Sequence, residues 1–210
     1  MKRHHLIGGA LVAACFVLTA AVYQRLPDPM PTQFDAESHP VAFSPKPLGP
    51  FKLPVVALAL WTVTLWAPGI ARARAGRALR AMPIVVAAFL LFLIAVKLRA
   101  ALGAPFEITR VVIAGVGLYL AVRGNYFGTL PRNWLIGVRT PWTLADDEVW
   151  LRTNRIAGWL FVAAGPVSFI AVTAGAPLPI AVAPLGATVL VSTVYSYVVY
   201  RRLRASRIAP

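Results

Sequence analysis

Few side chains in this sequence could do chemistry, and their spacing favours structural roles. The 210 residues include seven acids, three histidines and one cysteine. Three of the acids are consecutive, from Asp146 to Glu148, and in principle could bind a divalent metal or act in acid–base catalysis. Consecutive residues of a helix point in different directions, however, so three adjacent carboxylates do not converge on one ion. We predict instead that this cluster stabilises the start of a helix, where the helix dipole favours negative charge.

The histidines and the cysteine also predict no metal site. His4 and His5 precede the first long apolar stretch and His39 follows it, so a membrane helix there would keep them apart. With Cys15 as the single cysteine, neither an internal disulfide nor a cysteine-based metal site can form. A membrane-embedded enzyme would need convergent carboxylates, a histidine or a nucleophile, and no spacing here supplies them. We therefore expect no metal, no cofactor and no enzymatic activity.

Composition indicates a membrane protein. Of the residues, 59% are hydrophobic and only 13% are charged, whereas about a quarter are charged in an ordinary soluble domain. The net charge of +14 would suit a nucleic-acid partner, but the basic residues lie in short clusters between apolar runs, as they do when they anchor helices in a bilayer. We predict contact with membrane lipid and no direct contact with nucleic acid.

The apolar runs predict an all-α integral membrane protein with six transmembrane helices, because each run approaches the length that crosses a bilayer. The predicted N-terminal half, residues 1–104, contains a proline-rich loop at 24–50, which we expect to be ordered or extended rather than helical. The second half, 105–210, contains a long connection at 123–155. The predicted spans are residues 6–23, 51–70, 82–98, 108–122, 156–174 and 179–200.

The first apolar run has two alternatives to a retained helix. Thr19-Ala20-Ala21 resembles the cleavage site of a secretory signal, and Val12-Ala13-Ala14 before Cys15 would suit a lipoprotein acylated at that cysteine. The run nevertheless stays apolar to Val22 and ends in an interfacial tyrosine, so we predict that the helix is retained.

The distribution of Lys and Arg predicts the orientation. With both termini in the cytoplasm, the cytoplasmic segments hold 15 of the 21 basic residues and the outer segments hold 6, a clear positive-inside bias. The proline-rich loop would then face outward and the connection at 123–155 would face the cytoplasm. Each half consists of one span, a long loop and two further spans, which suggests a 3+3 inverted repeat.

The stretch from Gly124 to Trp150, hereafter the signature segment, is the part that hydrophobic patterning does not explain. Gly124 and Gly128 would allow close approach of another backbone at the end of the fourth span. Pro131 would end that helix and turn the chain. Thr143, with Asp146 three residues later, would cap the helix that leads into the fifth span.

The signature segment closely resembles the pattern of the SdpI family of bacterial membrane proteins. The family pattern opens with Gly-Asn-x-hydrophobic-Gly, continues with Arg/Lys-Asn-aromatic-x-hydrophobic-Gly, and closes with Arg-Thr-Pro-Trp-Thr-Leu and Glu-Val-Trp. The matching residues here are Gly124, Asn125, Gly128, Arg132, Asn133, Trp134, Gly137, Arg139 to Leu144 and Glu148 to Trp150. The stretch from Leu26 to Lys46 is also similar to a proline-rich N-terminal domain of these proteins, but it departs from that domain at Gln33, Asp35 and His39.

The resemblance implies a multi-pass protein of the bacterial inner membrane that acts in toxin immunity or signal transduction. The founding member of the family protects against a secreted toxic peptide and holds a transcriptional repressor at the membrane. The implied partners are therefore a secreted peptide toxin on the outer face and a cytoplasmic repressor. A small transporter or a lipid-handling membrane protein is the alternative function.

The resemblance and the predicted orientation together give two candidate binding surfaces. Arg139 lies between two aromatic residues and could grip a cytoplasmic partner or a lipid phosphate; alternatively, it pairs with Asp146 or Asp147 in a folded interfacial loop. The candidate partner-binding residues are Asn125, Arg132, Asn133, Trp134, Arg139, Thr140, Pro141, Trp142, Glu148 and Trp150. The outer-face candidates are Asp35, His39, Glu107 and Arg110; the last two are three residues apart and would either pair on one helix face or receive a cationic peptide.

Overall fold

The computed structural model describes residues 2–66, 77–134 and 136–208. The chain divides into two compact units, which are described separately below. The first unit is Met1–Pro68 with Arg80–Gly115, and the second is Gly69–Leu79 with Val116–Pro210.

Helices make up most of the described chain. They are α1 (Lys2–Val22), α2 (Lys52–Trp66), α3 (Arg77–Ala101), α4 (Ile108–Phe127), α5 (Pro141–Ala145), α6 (Asp147–Thr173) and α7 (Leu178–Ile208). A 3-10 turn, Tyr23–Arg25, follows α1 directly, and two strands lie between it and α2: β1 (Met30–Phe34) and β2 (Pro40–Ser44).

Four helices of the described residues are long and apolar enough to cross a bilayer. These segments are Arg3–Arg25, Ala81–Ala101, Asp147–Thr173 and Leu178–Arg207. The apolar helix Lys52–Val63 is shorter, and residues 67–70 of the predicted second span lie outside the described residues. The prediction of a helical membrane protein with several spans is confirmed. The predicted number of six spans is not confirmed, because four helices of the described residues meet this criterion.

The proline-rich loop is not purely irregular, and here the all-α prediction was incomplete. β1 and β2 form a two-stranded antiparallel hairpin in which Met30 pairs with Ser44 and Phe34 with Pro40. The register shifts on either side of Gln33. Proline lacks the N–H that a central strand must donate, so it is tolerated in an edge or bulged strand such as these two. The prolines therefore restricted the strands to a short hairpin rather than preventing them.

The core of the first unit is formed by α1, α2, α3 and the hairpin. Cys15, Met30 and Ile94 are fully or almost fully buried in it. The paired glycines of α1 leave room for the indole of Trp61 from α2, since a Cβ on Gly8 would lie 3.1 Å from that ring. Small residues on α1 thus allow a large aromatic residue to pack between two helices.

In the second unit, α4 and α6 touch through glycine backbone. Gly124 and Gly158 face each other, because a Cβ on Gly124 would lie 2.7 Å from the carbonyl oxygen of Gly158. Gly117 and Gly165 form a second such pair, in which a Cβ on Gly117 would lie 2.8 Å from the carbonyl oxygen of Gly165. Real Cβ atoms do not approach this closely, so only glycine permits the contact. The predicted close approach at Gly124 is confirmed.

The two C-terminal helices are longer than the predicted spans. α6 begins at Asp147 and runs directly into the predicted fifth span, as expected from the acidic cluster, whereas α7 continues to Ile208 rather than ending at 200. The basic residues after Tyr200 had been assigned to a tail because they cannot lie in hydrocarbon. They continue the helix instead, and this extension brings Arg207 within 2.6 Å of the Asp146 carboxylate at the start of α6.

Candidate functional site

The signature segment is folded against the first turns of α6. The indole of Trp150 is 1% exposed, and its Nε1 donates a hydrogen bond of 2.9 Å to the carbonyl oxygen of Leu130. Leu130 is itself buried. A buried indole N–H must find an acceptor, so this bond ties the chain that leaves α4 to the helix that follows the segment.

A side-chain turn and an ion pair shape the next residues. The Asn133 Oδ1 accepts a 2.8 Å hydrogen bond from the Ile136 N–H, and its Nδ2 donates to the Pro131 carbonyl at 2.9 Å. Asparagine stabilises turns in this way because its side chain replaces a backbone partner. Arg132 donates to the carbonyl of Leu144 at 2.8 Å and pairs with Asp147 at 2.9 Å. Arg132 and Asn133 therefore hold the segment's own fold.

Asn154, which the sequence analysis did not identify, is the central buried polar residue of the site. Its side chain is fully buried, with Oδ1 accepting from the Val138 N–H at 2.8 Å and Nδ2 donating to the Trp150 carbonyl at 3.0 Å. Gly137 adjoins it with φ +123°, and a Cβ there would lie 2.5 Å from the Asn154 Oδ1. In the sequence Asn154 lies among Arg152, Thr153 and Arg155, within the predicted connection at 123–155, so no local signal marked it as a buried residue.

Contrary to the prediction, Thr143 does not cap the helix that leads into the fifth span, because it lies inside a separate short helix, α5. Thr140, not Thr143, is the N-cap: its Oγ1 accepts from the Thr143 N–H at 3.3 Å, and the Thr143 hydroxyl accepts from the Thr140 N–H at 2.8 Å. Pro141 occupies the first turn, where its missing N–H costs nothing. Threonine replaces the usual Glu or Gln of the capping box, and this substitution hid the motif.

Asp146 caps α6. Its Oδ1 accepts from the N–H groups of Glu148 and Val149 at 2.8 and 3.1 Å, and Asp147 and Glu148 lie in the first turn as predicted. Partial burial opposes ionisation of Asp146, but the backbone N–H bonds, above all that of Val149, and the Arg207 guanidinium together lower its pKa. The acidic cluster therefore stabilises the helix start.

Trp142 fixes α5 against α7. Its Nε1 donates to the Ser196 Oγ at 2.7 Å. Its rings lie with centroids 5.3 Å from the Tyr197 ring and 6.3 Å from the Tyr200 ring. Aromatic pairs at such distances contribute beyond simple burial. Trp142 is thus occupied by packing within the second unit.

Arg139 does not form the ion pair with Asp146 or Asp147 that was one of the two expectations from the sequence. Its guanidinium donates to the Trp134 carbonyl at 2.7 Å, while Asp146 pairs with Arg207 and Asp147 with Arg132. The predicted pairing of Arg139 with either aspartate was therefore wrong. The two aspartates pair instead with Arg207 of α7 and with Arg132 of the turn after α4. These pairings depend on the tertiary fold and could not be predicted from sequence spacing.

The candidate partner-binding residues separate into a supporting group and an exposed group. Trp150, Trp142, Thr140, Pro141, Asn133 and Arg132 make the contacts that fold the segment. Asn125 and Arg139 are exposed, and Trp134 is 76% exposed. Glu148 is paired with Arg152 on the surface of α6. Among residues 2–66, 77–134 and 136–208, no three His, Cys, Asp or Glu side chains cluster in a way that could hold a metal ion.

In the first unit, the outer-face candidates gather around one residue that the sequence analysis missed, Thr109. Its hydroxyl donates to the Asp35 carbonyl at 2.7 Å, and Thr109 lies between Glu107 and Arg110, which form the predicted ion pair. The Asp35 carboxylate accepts from the His39 N–H at 2.7 Å, closing the hairpin turn. All four candidates therefore lie where the hairpin meets the start of α4.

Comparison with known proteins identifies the family of this chain. The model of the SdpI/YfhL protein family matches residues 129–196, from the signature segment into α7. A domain of unknown function, DUF1648, matches residues 10–58, which contain the hairpin. Immunity protein SdpI of Bacillus subtilis (strain 168) is 32% identical over 212 residues, covering 99% of this chain and 100% of that protein. No solved structure matches. The chain is therefore a multi-pass bacterial membrane protein that belongs to the SdpI/YfhL protein family.

Proposed function

We propose that this protein protects its cell against a secreted antimicrobial peptide and signals the presence of that peptide to a cytoplasmic regulator. The observation that carries the proposal is the full-length similarity to Immunity protein SdpI, which includes both the hairpin region and the signature segment. A relation confined to one part would support only one of the two surfaces.

The proposed topology has six spans with both termini in the cytoplasm. The excess of Lys and Arg on the predicted inner segments supports this orientation. It puts the hairpin outside and the signature segment in the cytoplasm. The element order, a helix followed by a long connection and two helices, occurs twice and supports a 3+3 inverted repeat. Labelling single cysteines introduced at Val41 and at Trp134 with an impermeant reagent tests the topology: only the first should react in intact cells.

The proposed outer surface is the hairpin with the start of α4. Val41 and Phe43, two residues apart on β2, are 59% and 53% exposed, and the turn of the same hairpin contacts Thr109, which lies between Glu107 and Arg110. Exposed apolar groups bordered by charge suit an amphipathic peptide. We propose that a secreted peptide contacts this surface and thereby loses access to the bilayer.

The proposed inner surface is the exposed part of the signature segment. Trp134 and Arg139 are joined by a hydrogen bond, and both are exposed. Tryptophan and arginine are the residues that most often dominate binding energy at interfaces. We propose that a cytoplasmic regulator docks on this pair.

A complementation experiment separates the two roles. A Bacillus subtilis strain that lacks its own Immunity protein SdpI would express this chain and be challenged with culture supernatant of the parent strain. We expect the wild-type chain to restore survival, the Val41→Ser/Phe43→Ser variant to lose it, and Arg139→Ala to retain it. If the wild-type chain reaches the membrane at the level of the strain's own protein and confers no survival, immunity toward that peptide is refuted.

The signalling role needs its own readout. With survival intact, Arg139→Ala should no longer retain the regulator in the membrane fraction, whereas Arg201→Ala, an exposed arginine of α7, should do so normally. Equal retention by both variants would contradict the proposed inner surface without affecting the immunity role.

A further inference from the structure

The second unit contains an open cleft that shares one residue, Arg139, with the proposed inner surface. Its volume is about 380 Å³, within the range of small-molecule sites. Two arginines, Arg123 of α4 and Arg139 of the signature segment, line it together with Phe127, Phe161, Val189 and Thr193. The cleft thus combines a cationic part with an apolar part contributed by three helices.

Neither guanidinium group is paired with a carboxylate of the second unit. The acids there are Asp146, Asp147 and Glu148, and all three pair with arginines other than these two. Among the described residues, no carboxylate lies within ion-pair distance of Arg123 or Arg139. Two uncompensated cations beside one cleft favour an anionic occupant.

Arg123 also has a buried hydrogen-bond donor without an acceptor. Its Nη1 donates to the Tyr119 hydroxyl at 2.9 Å, and its guanidinium lies 5.8 Å from the centre of the Phe127 ring. Its Nε, however, is buried and has no hydrogen-bond partner among the described residues. An unmatched buried donor of a charged group is costly, so an occupant that supplies an oxygen here would be stabilised.

The remaining walls indicate what carries the anion. Phe127, Phe161 and Val189 belong to α4, α6 and α7, and α6 and α7 are long and apolar enough to cross the bilayer. A soluble anion such as inorganic phosphate gains nothing from these apolar walls, whereas an acyl chain buries methylene groups against them. Basic pockets between transmembrane helices are typical sites for acidic lipid headgroups.

We propose that this cleft binds one anionic phospholipid, with its phosphate oxygens between Arg123 and Arg139 and the first carbons of an acyl chain along Phe127 and Val189. Guanidinium suits this role because its planar donors match phosphate oxygens in pairs. A lipid held there would connect the signature segment to α4 and α7. Because Arg139 also belongs to the proposed inner surface, lipid binding is measured below on the purified protein, without a toxin or a regulator.

Native mass spectrometry of the purified full-length protein in a neutral detergent tests the proposal. Phosphatidylglycerol, phosphatidylcholine and inorganic phosphate would be added separately, and the lipid-bound fraction would be measured. We expect phosphatidylglycerol to bind at least about tenfold more tightly than phosphatidylcholine, because the quaternary ammonium of phosphatidylcholine cancels its net negative charge and is repelled by the two guanidinium groups. The Arg123→Gln/Arg139→Gln variant should lose that preference, while Arg201→Gln/Arg202→Gln, which removes the same charge from exposed positions, should keep it.

A second pair of variants tests the apolar part at constant charge and guards against misfolding of the first. Val189→Trp should fill the cleft and reduce phosphatidylglycerol binding several-fold, and Leu190→Trp, on the adjacent exposed residue outside the lining, should not. Equal loss in both arginine double variants would indicate surface attraction alone and overturn the proposal. Undiminished phosphatidylglycerol binding by Val189→Trp would also overturn it, as would binding of inorganic phosphate as tight as that of phosphatidylglycerol.

Discussion

Gly158→Ala should destabilise the protein although alanine is the better helix former. A Cβ at residue 158 would lie 2.5 Å from the carbonyl oxygen of Gly124, and real Cβ atoms essentially never come closer than 3.0 Å. The α4 and α6 backbones must therefore separate locally by at least 0.5 Å, the difference between these two distances. Forcing one extra carbon into a close-packed contact costs about 1–3 kcal/mol.

Gly186→Ala is the matched control. Gly186 also lies within a helix, α7, but a Cβ there would meet no atom within 4 Å. This variant gains the helix preference of alanine, up to about 1 kcal/mol, without any steric cost. Because both substitutions share that gain, their difference isolates the contact between α4 and α6.

Thermal unfolding of the detergent-solubilised protein, followed by tryptophan fluorescence, measures the difference. For a chain of this size, 1 kcal/mol corresponds to about 2–4 °C in Tm, so Gly158→Ala should unfold about 2–12 °C below Gly186→Ala. If the two variants unfold at the same temperature, the glycine contacts do not hold α4 against α6 and the packing argument fails.

Three further predictions concern the signature segment. Trp150→Phe should lower the free energy of unfolding by about 1–3 kcal/mol in a denaturant titration, because it leaves the buried Leu130 carbonyl without its donor. Trp134→Phe, at a site that is 76% exposed, should change the free energy of unfolding little. Equal effects of the two substitutions would contradict the structural role of Trp150. Asn154→Leu should expose the signature segment to limited proteolysis by removing two buried hydrogen bonds, and unchanged cleavage would exclude that role. Asp146 has a lowered pKa in the folded state, so its contribution to stability is present above the unfolded-state pKa of 3.8 and is lost as the pH falls through the folded-state pKa. Asp146→Asn should therefore reduce the loss of stability at acid pH. An unchanged dependence of stability on acid pH would refute this role of Asp146.

The membrane class and several helix positions could be predicted from the sequence because they depend on long apolar runs. The same runs could not predict the end of α7. Charged residues exclude a segment from hydrocarbon but not from a helix, so Arg201 to Arg207 continue α7 in spite of their charge. The boundary of the apolar run and the boundary of the helix are different quantities.

Within the signature segment, the residues with local roles were easier to predict than those with distant partners. Gly124 and the acids of the first turn of α6 follow from spacing along one helix. The contact of Trp142 with Ser196 joins residues 54 positions apart, and that of Arg207 with Asp146 joins residues 61 apart. Such pairs depend on how α6 and α7 pack, which no local pattern contains.

The hairpin illustrates a third limit. Its prolines correctly excluded a helix, but they do not distinguish an irregular loop from a bulged edge strand. Thr109, which donates to the Asp35 carbonyl, was missed because a threonine in the first turn of an apolar helix carries no distinctive signal.

The length of α7 has a mechanical consequence. Its 31 residues extend about 46 Å at 1.5 Å per residue, whereas the hydrocarbon core is about 30 Å thick, so roughly three turns stand clear of the lipid tails. Near the end of this projecting part, Arg207 forms an ion pair with Asp146, the N-cap residue of α6. A protein bound near the C-terminus, or an attached tag, that displaces the end of α7 would therefore also displace the start of α6 on the same side of the bilayer.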